Sequence, residues 1–235
     1  MHDIHFHLGQ DGSLPDESLK KGIISTSNQK EFNIAQQYRT NEMMVSFGLH
    51  PWYRYTDVND YLNQFQQCDL IGEIGLDCVW SMIPLEEQIP LFQAQLQLAN
   101  QLKKAVVLHT KGCEEIIATM IQNYPNTYLV HWYSCDKYIE EYIKLDCYFS
   151  IGPSVVNDEI VQSCVSKIPL ERLLLESDGM EAVLWARNEQ VAYFKAMDDS
   201  LRRVAELRNI SVKEMDKQLE KNYINFMQRV RFPRK

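Results

Sequence analysis

The chain alternates short apolar runs with longer amphipathic stretches. Eight apolar runs occur in order: "MHDIHFHL", "GIIST", "MMVSFGL", "DLIGEIGL", "AVVLHT", "TYLVHW", "CYFSIG" and "RLLLES". The segments between them, such as "LEEQIPLFQAQLQLANQLKK" and "CEEIIATMIQNY", carry apolar residues at three- and four-residue spacing, which predicts amphipathic helices. Strands that alternate with helices over short connections are expected to be parallel and joined by crossover helices.

Eight such units predict an α/β fold, a TIM-type (β/α)8 barrel, as a single domain over residues 1–235. A chain of 235 residues is close to the usual length of about 250 for such barrels. A doubly wound open sheet is the alternative, and no GxGxxG motif follows the first strand to favour it. Two longer, more charged helices are predicted at the end, at about 185–208 and 211–230.

The composition of the chain indicates the compartment in which the protein is expected to lie. No apolar run approaches the roughly 20 residues of a membrane helix, and the start lacks the cation-then-apolar order of a signal peptide. The six cysteines form no CxxC pair, which is typical of reduced, packed thiols. We therefore expect a cytoplasmic protein without membrane contact, and a monomer.

The net charge of −8 argues against a broad basic face for long nucleic acid, because phosphate affinity is normally built from Lys and Arg. A local positive pocket is still compatible with this net charge. Divalent ions bound by carboxylates would reverse the sign of the local field.

Histidines and carboxylates recur where the predicted strands end. His5 and His7 are two apart in a strand, so both point to one face, as in a two-histidine metal clamp; a solvated N-terminus can carry the same pattern. The other strand-end residues are His50, Glu73, His109, His131 and Asp178. Five of the six histidines thus share the end of the barrel where active sites lie.

Four imidazoles and two carboxylates suit a pair of divalent ions with one carboxylate shared between them. Paired ions activate water and clamp both the attacking and the leaving oxygen, which is chemistry for hydrolysing phosphoester or amide-type bonds. The sequence therefore predicts a two-metal hydrolase site.

The strand-end motifs resemble those of a known family. The set "DIHFHL", "GLHPW", "IGEIGLD", "VVLHTKG", "HWYS" and "LLLESDG", in this order, is similar to the TatD family of metal-dependent deoxyribonucleases within the amidohydrolase-like barrels. The resemblance runs from about residue 2 to 180. Members of that family cleave DNA with Mg²⁺ or a similar divalent ion, often as 3′-to-5′ exonucleases.

The resemblance implies roles for the individual side chains. His5 and His7 with Asp178 would hold one ion, and His109 with His131 would hold the second. Glu73 would be shared by the two ions, and Glu73 and Asp178 would be the catalytic carboxylates. The expected cofactors are two divalent ions, Mg²⁺ first, with Mn²⁺ or Zn²⁺ as alternatives.

On the substrate side, the resemblance implies that His50, in the GxHP pattern, faces the substrate phosphate. Lys111 stands where the family usually has Arg, so it is a candidate phosphate contact or a plain surface lysine. Trp132 departs from the usual Cys and is a candidate base-stacking residue or part of the wall. The usual Asn-x-Pro element is missing after Asp178.

Asp3 and Glu176 share strand parity with His7 and Asp178 and would lie one layer below them. Either could orient an imidazole by accepting its second N–H, and for Asp3 an ordinary polar residue of the barrel interior is an equal alternative.

Two functions remain open from the sequence. The first is a phosphodiesterase acting on DNA ends or a small phosphoester. The alternative is an amidohydrolase or lactonase acting on a small molecule, because the same barrel and ligands serve carbonyl chemistry.

Overall fold

A computed structural model describes residues 2–55 and 57–233. Its strands are β1 Asp3–Phe6, β2 Gly22–Thr26, β3 Met43–Phe47, β4 Leu70–Asp77, β5 Val106–Lys111, β6 Tyr128–Val130, β7 Tyr148–Ile151 and β8 Leu173–Leu175. Its α-helices are α1 Gln29–Ala35, α2 Leu62–Gln67, α3 Leu85–Leu102, α4 Glu114–Ile121, α5 Ile139–Lys144, α6 Glu159–Lys167, α7 Met180–Arg187, α8 Tyr193–Leu207 and α9 Val212–Arg231. Short 3₁₀ turns span Val58–Tyr61, Pro153–Val156 and Leu170–Arg172.

The eight strands form one parallel sheet in which each strand pairs with the next along the chain. Consecutive order excludes the doubly wound sheet, whose strand order reverses. β8 comes back to β1, where the Asp178 N–H donates to the His5 carbonyl at 3.1 Å. The predicted (β/α)8 barrel is confirmed.

A second link holds the last strand against the first. The carboxylate of Asp3, in β1, accepts hydrogen bonds from the Ser177 N–H at 3.0 Å and the Ser177 hydroxyl at 2.5 Å. It also accepts one from the Tyr193 hydroxyl of α8 at 2.8 Å. Side chains thus fasten the seam between β8 and β1.

The barrel interior changes from apolar to polar along the strands. Side chains two apart share a face, and in six of the strands an inward apolar residue is followed by a polar one in the next layer. The lower layer contains Ile23, Met44, Val107, Leu129, Tyr148 and Leu174, which cluster with Tyr223, Phe226, Met227 and Val230 of α9. Two positions further along each strand stand Ser25, Ser46, His109, His131, Ser150 and Glu176, all of them buried. α9 therefore lies at the apolar end, opposite the polar one.

One helix boundary differs from the sequence prediction. The single helix expected at about 185–208 is wrong, because the chain forms α7 and α8 with a break between them. α7 ends at Asn188, which has a left-handed φ of 51° that stops a helix. The other prediction, 211–230, agrees with α9, which begins at a capping box between Ser211 and Glu214.

No helix in the described residues combines the length and the apolar content that crossing a membrane requires.

Candidate metal centre

Glu73, in β4, stands at the centre of the polar end of the barrel and is only 4% exposed. Its Oε1 lies 2.8 Å from the His7 Nε2 and 3.3 Å from the His5 Nε2. Its Oε2 lies 2.8 Å from the His131 Nε2 and 3.3 Å from the His109 Nδ1. The two oxygens therefore face two different pairs of imidazoles, as a carboxylate shared by two ions would.

Asp178 joins the first pair of imidazoles. Its Oδ1 lies 3.3 Å from the His5 Nε2 and 3.5 Å from the His7 Nε2. The residue has a φ of 59°, a left-handed conformation that Asp tolerates better than most side chains. The donor atoms of His5, His7, Glu73 and Asp178 all lie within 4.8 Å of one another, so they could hold one ion.

The second candidate group includes a residue that the sequence assigns to the substrate. Donor atoms of His50, Glu73 and His109 lie within 4.8 Å of one another. The His50 Nε2 is 3.5 Å from the Glu73 Oε2, while the His50 Nδ1 accepts from the Trp52 N–H at 3.2 Å. His50 thus lies beside the cluster itself, close enough to contact either an ion or a phosphate held there.

Several polar atoms of the cluster are buried without a hydrogen-bond partner. Both ring nitrogens of His5 and the Oδ1 of Asp178 are in this state. A buried polar atom without a partner is costly. Imidazole nitrogens suit Zn²⁺, and the carboxylate oxygens beside them suit Mg²⁺ and Mn²⁺. The residues present therefore fit divalent ions.

The buried imidazoles and carboxylates of the cluster shift each other's pKa values. Burial works to lower the pKa of His5, but the carboxylates of Glu73 and Asp178 outweigh it and raise that pKa well above its ordinary value. The same competition, with Glu73 and Glu176 as the partners, raises the pKa of His131 to about 9. Burial opposes the ionisation of Glu73, yet the imidazoles hold its pKa well below the ordinary value, His131 first among them. Divalent ions would replace these protons as the positive charge.

Asp77 lies against His109 and has no role predicted from the sequence. Its Oδ2 lies 2.8 Å from the His109 Nε2 and accepts from the Trp52 indole N–H at 2.6 Å. Its Oδ1 accepts from the backbone N–H groups of Val79 and Trp80 at 2.8 and 2.7 Å. Asp77 thereby turns the Nδ1 of His109 toward Glu73. Its position at the end of the strand that carries Glu73 was the available signal.

Glu176 and Asp3 take different positions below the cluster. The Glu176 Oε1 lies 3.5 Å from the His131 Nδ1, and its Oε2 accepts from the Ser150 hydroxyl at 2.7 Å. Asp3 accepts from the His5 backbone N–H at 3.3 Å, besides its bonds to Ser177 and Tyr193. Glu176 is placed to orient an imidazole, whereas Asp3 fastens the backbone of β1.

Lys111 and Trp132 face each other across two strand ends. The Lys111 ammonium donates to the Trp132 carbonyl at 2.8 Å and to the Ser134 hydroxyl at 3.0 Å. An ammonium has three N–H donors, so one is left for a phosphate. Trp132 is only 7% exposed, and a Cβ at Gly152 would come within 2.6 Å of its ring. Its role in base stacking stays a prediction, and its burial does not favour it.

Comparison with known proteins gives relatives that are named as metal-dependent hydrolases or nucleases. The uncharacterized metal-dependent hydrolase YjjV of Escherichia coli is 28% identical over 166 residues, which are 64% of this chain and 62% of the relative. The 3′-5′ ssDNA/RNA exonuclease TatD of a Rahnella strain is 32% identical over 121 residues, 46% of this chain and 44% of the relative. The matched parts are thus less than two thirds of either relative.

A solved structure reproduces the fold. The crystal structure of YjjV superposes with a TM-score of 0.73 at 22% identity, covering 92% of this chain and 88% of that one. The family model described as TatD related DNase matches residues 3–228, a range that contains every strand of the barrel and every side chain of the cluster. The resemblance expected from the strand-end motifs is therefore confirmed, and the chain belongs to the TatD family.

Proposed function

We propose that the protein is a divalent-metal-dependent phosphodiesterase that hydrolyses DNA from its ends in the 3′-to-5′ direction. The single observation that carries this proposal is Glu73, whose two oxygens each face a separate pair of imidazoles. The names of the relatives, metal-dependent hydrolase and exonuclease, agree with it.

Two ions, Mg²⁺ first, would be held by the cluster. His5, His7 and Asp178 would hold the first, and His109 and His131 would hold the second, with Glu73 shared. When bound, the ions supply Lewis acidity, which activates water and neutralises charge on the phosphate.

The protein's own groups do the remaining work. Asp178 is 22% exposed at its side chain, so it reaches the mouth and accepts a proton of the attacking water. The water oxygen bonds to phosphorus while the bond to the leaving oxygen breaks, and that oxygen takes up a proton from solvent. The free N–H of Lys111 and the imidazole of His50 hold the phosphate. Asp77 and Glu176 keep the rings of His109 and His131 turned toward Glu73.

The test is hydrolysis of defined oligonucleotides. Metal-stripped protein is incubated with end-labelled single-stranded and duplex DNA, and Mg²⁺, Mn²⁺ or Zn²⁺ is added back. We expect metal-dependent loss of nucleotides from the 3′ end. Hydrolysis of small amides or lactones without any hydrolysis of DNA would overturn the proposal.

Metal content tests the ligand assignment separately. Up to two equivalents of ion per chain are expected by elemental analysis under saturating metal, and His5→Ala and His109→Ala should each reduce them. A wild-type metal content in both variants would contradict the assignment.

We further propose that residues 1–235 act as one hydrolase domain, as a monomer in the cytoplasm. The six cysteines are all unpaired thiols, which suits a reducing compartment. Sedimentation and cell fractionation test this; a stable dimer or an exported protein would contradict it.

A further inference from the structure

Two large aromatic side chains stand exposed on the segments that follow β4 and β8. Trp80 is 58% exposed in the loop after β4, and Trp185 is 66% exposed on α7. Their ring centroids are 6.1 Å apart with an angle of 89° between the planes. Large apolar side chains seldom stay exposed as a contiguous pair without a binding role.

Both rings are attached closely to the cluster. Trp80 lies three residues after Asp77, and its backbone N–H donates to the Asp77 carboxylate that also contacts His109. Trp185 lies on the helix that follows Asp178, and its ring is 6.4 Å from that of Trp132. The aromatic pair is therefore continuous with the mouth of the candidate site.

The segments that carry the two rings are held in place. The Ser81 hydroxyl donates to the Pro51 carbonyl at 2.7 Å, which fixes the loop of Trp80. The Gln10 amide donates to the Glu181 carboxylate of α7 at 3.0 Å. A stacking surface that is already in place loses little freedom when a ligand binds.

Cations near the mouth are largely committed to other partners. Arg54 pairs with Glu87, and Arg187 pairs with Asp199 at 3.0 Å. Two N–H groups of Lys111 are bound within the protein. With a net charge of −8, the chain has little electrostatic attraction for a polyanion beyond the metal centre itself, so contacts to the bases are needed to add affinity for nucleic acid.

Trp185 also lines a shallow, open depression of the surface, together with Ser154, Asn157 and Ile160. Ile160 is 50% exposed, so the apolar surface continues beyond the aromatic pair, away from the cluster.

From these observations we infer that Trp80 and Trp185 form a stacking subsite for an unpaired nucleobase next to the hydrolysed phosphodiester. This inference rests on the proposed function and assigns its specificity. A duplex exposes a base face only at its outermost pair, whereas every unpaired base can lie against an indole, so the subsite favours single-stranded ends.

Binding of short DNA tests the subsite without requiring turnover. The probe is a fluorescein-labelled single strand of about ten nucleotides whose terminal linkages are nonhydrolysable phosphorothioates, measured by anisotropy with Mg²⁺ at fixed salt. Trp80→Ala and Trp185→Ala should each weaken binding about 5-fold to about 100-fold, the range for losing one stacked base. Trp80→Phe should retain most of the affinity, because it keeps an aromatic face.

A second probe, with abasic sugars at its two 3′-terminal positions, identifies the contact as stacking. The wild-type protein should bind it more weakly than the intact strand, and the two alanine variants should bind both probes alike. Phe232→Ala is the matched control, since Phe232 is 77% exposed after α9, at the other end of the barrel. That control should bind both probes as the wild type does.

The outcomes separate this inference from the proposed function. Binding that depends on Trp80 and on the 3′ bases, without hydrolysis of any oligonucleotide, would support the subsite and contradict the proposed function. Hydrolysis with unchanged affinity in both alanine variants would overturn the subsite alone. A change in sedimenting mass in Trp185→Ala, instead of a change in affinity, would assign the pair to an interface between copies and overturn the subsite.

Discussion

Among individual side chains, Glu73 is the one on which the others converge. Replacing it by Gln keeps its volume and removes the charge that both groups of imidazoles face, so repulsion between two bound ions would increase. We expect turnover to fall by about 1,000-fold or more with folding retained, more than for loss of any single histidine. The measurement is single-turnover cleavage with saturating Mn²⁺.

The control for that change is Glu42→Gln, at an exposed ion pair with Lys21. It should leave turnover unchanged, because a surface ion pair contributes little. Near-normal cleavage by Glu73→Gln with saturating Mn²⁺ would contradict the assignment of Glu73 as a ligand shared by two ions.

Asp178 combines the roles of ligand and proton acceptor. Asp178→Asn should keep much of the metal, since an amide oxygen still binds weakly and Asn tolerates the left-handed backbone of this position. Without the carboxylate, turnover should fall by roughly 100-fold or more while oligonucleotide binding survives. Cleavage and binding anisotropy are compared at the same salt concentration. Normal cleavage would reduce Asp178 to a structural residue.

Asp77 offers a test of how an imidazole is oriented. Its Oδ2 accepts from the Nε2 of His109 and its Oδ1 from two backbone N–H groups, so the NH₂ of an Asn would have to face a donor. Disturbing such an acceptor commonly costs about 10-fold to about 100-fold in metal affinity. Asp77→Asn should weaken one Mn²⁺ site by that amount and leave the other nearly unchanged. Asp158→Asn, at the start of α6, is the control because Asn caps a helix as well as Asp. Two equally weakened sites would contradict this role.

The imidazoles could be predicted from sequence because strand ends of a barrel meet in one place, whatever the loops do. The hydrogen-bond partners of Lys111 and the burial of Trp132 could not be predicted from sequence, because both depend on how the loops beyond the strands fold back. Trp80 and Trp185 gave no signal either, since a lone Trp in a sequence looks the same whether it is packed or exposed.

Among the strands, β4 and β5 form the closest contact at the site. A Cβ at Gly75 would lie 1.9 Å from the carbonyl oxygen of His109, its partner in the β4–β5 ladder. Gly75→Ala must push the two strands apart where one carries His109. We expect a loss of about 1 to 3 kcal/mol in the free energy of unfolding and a loss of metal affinity.

Urea unfolding of the metal-free protein measures the first effect. Gly9→Ala is the matched control, because its Cβ would meet the exposed Asp11 side chain, which can move. Equal stability of the two variants would mean that the strand contact is looser than the structure shows.

Element order was predictable because apolar runs and helical periodicity alternate without interruption. The ends of the strands were less predictable. β6 ends at Val130 and β8 at Leu175, which leaves His131 and Asp178 in the connections. The break between α7 and α8 is a local backbone turn at Asn188, and the helical pattern of apolar residues continues across it.

In the protein as a whole, protons and metal ions compete for the same imidazole nitrogens. The pKa of His5 is held above its ordinary value, and that of His131 is raised to about 9, so both keep protons at neutral pH when no metal is bound. These protonated imidazoles stabilise the metal-free fold below the ordinary histidine pKa, and that contribution is lost as pH rises through about 9. A metal must displace these protons.

Metal affinity should therefore rise with pH between about pH 6 and about pH 9, with protons released on binding. Titration calorimetry with Mn²⁺ in buffers of different ionisation enthalpy measures the release. An affinity that stays flat over this range would contradict the competition.

The side-chain link at the seam between β8 and β1 has a consequence for the order of events in synthesis. Asp3 holds Ser177, so the seam closes only when the eighth strand has arrived beside the first. His5 leaves the ribosome long before Asp178, yet the two belong to one candidate group of ligands. A growing chain can bring His109 and His131 together before β8 is made, but the other candidate ion site forms only when the first strand of the barrel meets the last.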